Sequence, residues 1–421
     1  MALTQGKTRE DLRKAIGRNL GKMVTGTTSG SGSTTTALDT KLFGGDDEYI
    51  GSYIRFTSGD NDGSVRRITD YTASTGTITF AAVSATVAGS TTYELWKDQF
   101  DPQVVDEFIN HSIWEITGRY FDPEENVDLH TDRINARFEI PSEIAMIQDV
   151  YYRNKFTSKE LHNCNTAFDE SVDSDFTITV NTEDYKKGSA SNKIVIAAGA
   201  SAGDTASDTI TSVNIEKYDF VEFWIKSTVA TSSGNLKIHL VDAGGIEESL
   251  DVPALTADTW KYCRVALSNP EDNTAITQIR FEYDSDLGAC VVYLDDIKAV
   301  KNDTATWTKI PRYQWRIDRE GTQGASTQDL VLTDGGRAEA GYSLLKLVGG
   351  DEPAELSSDS SETEVPERFI VAYATALSAQ AGSLRSDADI DAMRNLAAFW
   401  FAKSEQAKND LPLLTNVRLV R

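Results

Sequence analysis

Apolar residues recur at three- and four-residue steps in four parts of the chain, and this spacing predicts amphipathic helices. The first predicted helix begins at Thr8, a suitable N-cap, and ends at Gly21. The second begins at Asp101-Pro102, an acidic cap followed by proline at the first helical position, and extends to about Phe121. The other two form a pair over 366–409. Because the first helix is too short to be stable alone, we expect it to pack on other helices, and we expect the second to pack on the C-terminal pair.

Alternating apolar and polar residues predict strands in two large blocks. After a Thr/Ser/Gly-rich stretch at 26–36, short strands separated by turn residues predict a small barrel-like or meander module, which we place at 26–97. A second block, 166–300, is rich in Thr, Ser, Asp and Val, and its short, evenly spaced strands are typical of a β-sandwich.

The sandwich block lies between the segments 98–165 and 301–421, which we interpret as two parts of one domain. We therefore predict an inserted sandwich, whose two ends must lie close together. With a helix in 1–25 and the β module, the predicted fold class is α+β and multidomain: a helical core, a small N-terminal β module and an inserted β-sandwich.

Composition narrows the functions that the chain can have. It has 421 residues and a formal net charge of −24, which argues against a nucleic-acid-binding face and against binding to anionic membranes. No apolar run approaches the roughly 18 residues of a membrane span, and the first residues carry no signal-peptide pattern. We expect a protein made in the cytosol. Its acidic runs at 46–48 and 357–364 are predicted as solvated loops.

Residues of the types that catalyse reactions or bind metals are scattered along the sequence. The four histidines lie in four different contexts, and neither a nucleophile elbow nor a phosphate-binding loop is present. The three cysteines are too few and too far apart for a disulfide framework or a zinc site. The sequence therefore predicts that the chain is not an enzyme and has no cofactor, although counting carboxylates excludes no glycosidase pair.

The last eleven residues, 411–421, are apolar and basic, with no acidic residue. They cannot bury themselves on the helix pair alone, which favours an arm that docks on a partner. The alternative is a last strand of this protein's own sheet. The predicted docking residues are Leu411, Leu414, Val417, Arg418, Leu419, Val420 and Arg421.

The order of strands in 166–300 resembles jelly-roll carbohydrate-binding modules of the galactose-binding-like type. The matching landmarks are an early Phe168-Asp169, the Phe-Trp-Ile-Lys-Ser run at 223–227, a strand centred on Trp260 and a closing Tyr-Leu-Asp-Asp-Ile at 293–297. The resemblance implies a structural Ca²⁺ held by Asp169 and Asp296, for which hard oxygen ligands are suited. The alternative for the acidic pair Asp295-Asp296 is a solvated strand end.

The same resemblance implies sugar binding, which needs an exposed aromatic platform with hydrogen-bonding groups beside it. Trp224 and Tyr262 are the candidate platform, with Tyr283 as a further aromatic side chain that can stack on a sugar. The alternative is that these rings belong to the core.

Without the sandwich, the order of elements resembles that of head-to-tail adaptor (connector) proteins of tailed bacteriophages. The opening at 32–42 and the module at 49–95 are also similar to stretches of phage neck proteins. The resemblance implies a ring of about twelve copies under a portal protein, with a stopper, nozzle or tail protein below and packaged DNA passing through. An acidic channel wall would let DNA pass without sticking. The expected location is the virion neck.

Two hypotheses of different kinds follow. The first is a structural virion protein that joins head to tail and extends the DNA channel. The alternative is a surface- or glycan-binding tail or fibre component that uses the sandwich.

Overall fold

The computed structural model describes residues 6–97, 100–132, 135–245, 247–318, 328–384, 389–411 and 418–419. The helices are α1 (Arg9–Leu20), α2 (Pro102–Ile116), α3 (Asp334–Ala340), α4 (Glu367–Gly382) and α5 (Ile390–Asn409). The strands are β1 (Lys7–Thr8), β2 (Met23–Thr27), β3 (Thr36–Leu38), β4 (Tyr53–Phe56), β5 (Val65–Thr72), β6 (Thr77–Phe80), β7 (Thr92–Trp96), β8 (Asp122–Asn126), β9 (Arg137–Glu139), β10 (Met146–His162), β11 (Ser171–Val172), β12 (Phe176–Asn181), β13 (Ser191–Ile196), β14 (Asp204–Val213), β15 (Phe220–Ser227), β16 (Leu236–Asp242), β17 (Glu247–Asp251), β18 (Lys261–Ala266), β19 (Ile276–Tyr283), β20 (Cys290–Lys309), β21 (Trp315–Asp318), β22 (Asp329–Leu332), β23 (Leu345–Asp351), β24 (Glu362–Thr363) and β25 (Arg418–Leu419).

The chain forms two compact units. The first contains 1–123 and 350–416, and the second contains 124–349 and 417–421. This division differs from the predicted one, because the segments 124–165 and 301–349 group with the sandwich and not with the helices. The multi-sheet, β-rich part of the predicted fold class is confirmed.

Four helices of the first unit pack around one apolar core. The predicted caps are present: the Thr8 hydroxyl accepts the Asp11 N–H, Gly21 has a left-handed φ of 67°, and the Asp101 carboxylate accepts the Gln103 N–H. Helix α4 contacts α1, α2 and α5. The predicted packing of the first helix on other helices, and of the second on the C-terminal pair, is therefore confirmed. The core includes Leu12, Ile16, Leu20, Ile109, Ile113, Ile116, Phe369, Ile370, Ala374 and Ala397.

The predicted N-terminal β module is confirmed as a six-stranded sheet with the order β2-β7-β4-β5-β6-β3. Its strands pair antiparallel, and its own core contains buried aromatic residues from several strands. Edge-to-face contacts join Tyr49 to Tyr71 and Phe56 to Phe80.

A buried ionic cluster lies between α1, the β module and the segment before α4. The guanidinium of Arg13 is fully buried, and it donates to Glu94 (2.9 Å), Asp106 (2.9 Å) and Asp359 (2.8 Å). Arg55 donates to the same Asp359 carboxylate at 2.8 Å. The prediction of a solvated loop at 357–364 is therefore wrong for Asp359, whose carboxylate is turned inward to satisfy buried arginines.

The second unit contains the sandwich. One of its layers has the strand order β11-β14-β19-β16-β17, and the other is built from β12, β13, β20, β15 and β18. Alternate residues of the two layers point inward and form a continuous core that includes Ile194, Phe223, Ile225, Phe281 and Leu294. Cys263 and Cys290 lie in this core, and Tyr283 is buried there too.

Two long strands, β10 and β20, carry the chain into and out of the sandwich. They pair antiparallel from Tyr151↔Lys309 to His162↔Ile297. The predicted closeness of the two ends of the insertion is therefore confirmed. Strand β20 runs without interruption through the predicted boundary at 300/301, and β10, paired with it, ends at His162, just before the boundary at 165/166. This pairing explains why the flanking segments group with the sandwich.

The C-terminal residues that the structure describes contact this chain itself. Leu411 is buried in the helical core, and Arg418–Leu419 pairs antiparallel with Met146–Ile147 of β10. The prediction of a free docking arm is wrong for these residues, because Leu411 is buried and the backbone of Arg418–Leu419 is paired within the chain. The alternative of a last strand is what the structure shows. Leu414, Val417, Val420 and Arg421 lie outside the described residues.

Candidate functional site

The outer face of β15 and β18 is the candidate site that the sequence pointed to. Strand alternation puts Phe223 and Ile225 into the sandwich core and turns Trp224 to the opposite face. Tyr262 lies directly across from Trp224 in the antiparallel register, and the two ring centroids are 5.1 Å apart. The structure therefore brings the two predicted platform residues together.

These rings do not form an exposed platform. Trp224 and Tyr262 are each only 6% exposed. The His130 ring lies 3.9 Å from the Tyr262 ring and 5.0 Å from the Trp224 ring, and Leu344 completes the cover. The expectation of an exposed sugar platform is wrong here, because the segments around His130 and Leu344, paired to each other as a β-bridge, occupy the surface that a ligand would need.

A buried charged network continues from the same face. Arg153 of β10 donates to both carboxylate oxygens of Glu222 at 2.7 Å, and the Tyr262 hydroxyl donates to Glu222 at 2.5 Å. Burial, and then the nearby Glu222 charge, raise the pKa of Tyr262 well above its usual value. Burial, with the positive charges of Lys298 and Arg153 adding to it, holds the pKa of His130 well below its usual value. Both rings are therefore neutral near pH 7. The hydrogen bonds of this face connect β10 to strands β15 and β18 of the sandwich.

A cavity of about 700 Å³ lies beside Trp224 and Tyr262. Its lining combines Trp224, Tyr262 and Trp260 with polar and charged groups. The Lys186 ammonium bridges to Asp132 (2.7 Å), and its nitrogen lies 5.1 Å from the Trp224 ring centroid. The Trp260 indole N–H donates to Asp184 at 2.6 Å. Several of the polar groups around this cavity are thus already engaged within the chain.

The candidate calcium ligands have different surroundings. Asp169 is exposed, whereas Asp296 is buried and its two oxygens accept from Lys187 (2.6 Å) and Lys298 (2.8 Å). The two ammonium groups neutralise the Asp296 carboxylate in the way that a cation would. Within the described ranges, no group of three or more His, Cys, Asp or Glu side chains is arranged to hold a metal ion.

Asp295, the neighbour of Asp296, is fully buried, so the alternative of a solvated strand end is wrong. One Asp295 oxygen accepts the backbone N–H groups of Lys186 and Lys187, while the other has no hydrogen-bond partner among the described residues. Burial raises the pKa of Asp295 to about 6.

A cysteine, a histidine and an aspartate, residue types found in catalytic triads, lie in contact in the sandwich. The His162 ring lies between Cys164 (Nδ1 to Sγ, 3.4 Å) and Asp208 (Nε2 to Oδ2, 2.9 Å). Cys164 is fully buried in the sandwich core, and burial raises the pKa of its thiol. A neutral thiol without access to solvent is a poor nucleophile, so these residues support no reaction.

Sequence reasoning missed the residues that organise this face, namely His130, Arg153, Glu222 and Lys298. Glu222 gave one usable signal, because a charged residue between Val221 and Phe223 in a strand of apolar residues indicates a buried pair. Its partner Arg153 is 69 residues away in the sequence, and no local pattern connects them.

Comparisons with known proteins give a match only among solved structures: no family model matches the chain, and no curated protein does. A family 11 carbohydrate-binding module of the cellulosomal cellulase Lic26A-Cel5E of Clostridium thermocellum is 14% identical, and the match covers 35% of this chain and 97% of that one, with a TM-score of 0.26. The CBM22-1 xylan-binding domain of Xyn10C from Paenibacillus barcinonensis is 12% identical over 36% of this chain and 97% of its own, with a TM-score of 0.24.

The structural neighbours are thus carbohydrate-binding modules, the class that 166–300 resembles in sequence. Their low identities and TM-scores assign neither a ligand nor an activity to this chain. No helix in the described part of the chain is long and apolar enough to cross a membrane.

Proposed function

We propose that the chain is a structural subunit of a tailed-bacteriophage virion, a head-to-tail adaptor that forms a ring of about twelve copies under the portal. In this role it joins head to tail and extends the channel through which DNA passes. The portal protein is the partner above, and a stopper, nozzle or tail protein is the partner below. The subunit is made in the host cytoplasm and resides in the virion neck.

The observation that carries the proposal is the surface of the helical unit. Trp114 of α2 is 65% exposed and Phe399 of α5 is 54% exposed, although both helices belong to a well-packed bundle. Only Ala397 and Ser404 of α5 are buried. Large aromatic side chains left on helices in this way favour packing against further protein, and identical neighbours in a ring supply it.

The net charge of −24 supports the same role, since a strongly acidic protein does not retain DNA that passes it. The proposal does not depend on the C-terminal residues as a portal-docking arm, because the described ones contact this chain. It requires no catalytic site, cofactor or bound metal.

Imaging of the purified full-length chain, alone and mixed with the portal protein of the same virus, tests the proposal. We expect rings of uniform diameter with the copy number of the portal, or a joint assembly that co-migrates with the portal. A chain that stays monomeric in both conditions would refute the adaptor role.

Glycan binding is a second candidate, which the cavity of about 700 Å³ beside Trp260 favours. Aromatic side chains with hydroxyl and charged groups around them are the chemistry that sugar sites use. Calorimetric titration of the full chain with soluble oligosaccharides tests it. We expect saturable binding that Trp260→Ala abolishes while the unfolding temperature changes little; absence of binding by the wild type would remove this candidate.

A further inference from the structure

Helix α5 turns an uncharged face away from its own unit. Ala397 and Ser404, the buried residues of the helix, mark the side that packs on the rest of the unit. At 100° per residue, the residues within about 30° of the opposite direction are exposed and carry no charge. We call them the α5 face: Asn395, Phe399, Ala402 and Gln406. The Phe399 ring at its centre is 54% exposed, which is an open apolar surface.

One edge of the α5 face carries an arginine and a glutamate. Arg394 and Glu405 lie only about 20° apart around the helix axis, at 100° per residue. Both side chains are exposed, and neither forms an ion pair with a described residue. The other edge carries Lys403, whose ammonium nitrogen lies 5.9 Å from the centroid of the Phe399 ring. The charges of Arg394 and Glu405 are therefore available to another molecule.

The α5 face is complementary to itself when two copies of the helix lie antiparallel. A two-fold axis midway between Phe399 and Trp400 sets the same edge of each helix against the other. Arg394 of one copy and Glu405 of the second copy then reach the same height, each about 8 Å from the axis at a rise of 1.5 Å per residue. The two Phe399 rings meet at the axis, and Ala402 of the second copy lies about 3 Å further along the helix and leaves space for each ring.

We propose that two copies of this chain pair through the α5 face, with their α5 helices antiparallel about a two-fold axis. The contact is isologous, so the ion pair between Arg394 and Glu405 occurs twice and fixes the direction of pairing. The two Lys403 residues stay about 10 Å apart along the helices, where salt screens their repulsion. Asp389 and Asp410 also reach equal heights, but about 16 Å from the axis, where crossing helices have diverged.

The pair is a state of the free chain and does not rest on the proposed ring. A closed ring of identical subunits is built from head-to-tail contacts, which a two-fold contact cannot replace. In a ring, a neighbouring subunit would cover the α5 face in place of the second copy. A contact between two single helices is smaller than the roughly 1,200 Å² of a standard interface, so we expect weak, reversible pairing with a dissociation constant of about 10 μM. Pairing of this strength covers Phe399 before assembly and yields to a tighter partner.

Sedimentation velocity of the full-length chain between about 1 and about 100 μM tests the pairing, and we expect a monomer–dimer equilibrium. Phe399→Ser removes the central ring, and Arg394→Glu or Glu405→Arg sets like charges against each other. These positions are exposed, so we expect an unchanged unfolding temperature and at least a tenfold weaker dimer for each variant. Tyr313→Ser, which removes a 79% exposed ring from the other unit, is the matched control and should dimerise normally.

Mixing the two charge variants gives a sharper result. One copy with Arg394→Glu and one with Glu405→Arg again bring opposite charges together at both ends of the contact, so an equal mixture should dimerise although neither variant does so alone. A wild type that stays monomeric or forms only rings, a folded variant that dimerises like the wild type, or a mixture that stays monomeric would overturn the pairing. Assembly of the same chain on the portal would leave the adaptor role standing, whereas failure to assemble on the portal would refute that role separately.

Discussion

Replacing Arg13 by methionine should be among the most damaging single changes in the helical unit. Arg13 is fully buried, and its guanidinium is the common partner of Glu94, Asp106 and Asp359. Burial alone would lower the pKa of Arg13, but hydrogen bonds and charges from Asp359 and Glu94 outweigh burial and raise it. Methionine fills similar space without a charge, so the variant isolates the electrostatic loss.

The expected loss of stability follows from the carboxylate that stays buried when Arg13 is removed. Glu94 is completely buried, and without Arg13 its carboxylate loses both guanidinium hydrogen bonds, at 2.9 and 3.2 Å. Removing one member of a buried ion pair costs about 3–5 kcal/mol. For a unit of this size each kcal/mol lowers the unfolding temperature by about 2–4 °C, so we expect a fall of roughly 6–20 °C.

Calorimetry and urea unfolding of the full chain measure this effect. Lys14→Met, at the next position of the same helix, is the matched control, because Lys14 is partly exposed and pairs with Glu10 one turn away; its cost should stay under about 0.5 kcal/mol. Adding Glu94→Gln to Arg13→Met should recover about 1–3 kcal/mol by removing the unpaired charge. Equal stabilities of the Arg13→Met and Lys14→Met variants would refute the reasoning.

The pH dependence gives an independent check. Although burial acts to raise it, hydrogen bonds and charges from Arg13 and Arg55 hold the pKa of Asp359 well below its usual value. A depressed carboxyl pKa contributes stability that is present above the unfolded-state pKa of about 3.9 and is lost as the pH falls towards the folded-state value. The stability gap between wild type and Arg13→Met should therefore narrow as the pH is lowered from about 5 to about 2.

Three further predictions concern the sandwich unit. Because burial raises the pKa of Asp295 to about 6, its ionisation lowers the stability of the folded unit as the pH rises from about 4 to 7. Asp295→Asn should therefore stabilise the unit by about 2 kcal/mol at pH 8 but not at pH 4, as measured by urea unfolding at both pH values. Equal effects at the two pH values would contradict this prediction. Tyr262→Phe should destabilise by about 1–2 kcal/mol in the same assay, because Glu222 loses the hydroxyl donor but keeps Arg153; a neutral result would show that the hydroxyl is dispensable. A thiol reagent should label none of the three cysteines of the native chain and all of them in urea, since Cys164, Cys263 and Cys290 are buried; rapid native labelling would contradict their burial.

The helices could be predicted because their determinants are local. Thr8, Gly21 and Asp101 act within one turn of the helix ends that they define, and the structure has them in these roles. Helix α2 ends at Ile116, earlier than its apolar stripe suggested, because the chain turns at Thr117 and at Gly118, which has a φ of 83°. Periodicity records which residues are apolar but does not show where the backbone turns.

The candidate site could be predicted only in part, because period-two alternation identifies the two faces of a strand and not what covers each face. Alternation correctly sets Trp224 apart from Phe223, yet nothing near Trp224 in the sequence indicates that His130 and Leu344 lie over it. The same limit applies to Asp359, whose arginine partners Arg13 and Arg55 are more than 300 residues away.

The paired strands β10 and β20 have a mechanical consequence. Successive backbone hydrogen bonds join them along the length where the chain enters and leaves the sandwich. A force that pulls the sandwich away along this ribbon loads those bonds in shear, so that many must break together. Their register shifts near Lys155 and Glu160 are the places where such a ribbon bends. The two paired strands thus restrict the movement of the sandwich more than a flexible linker would.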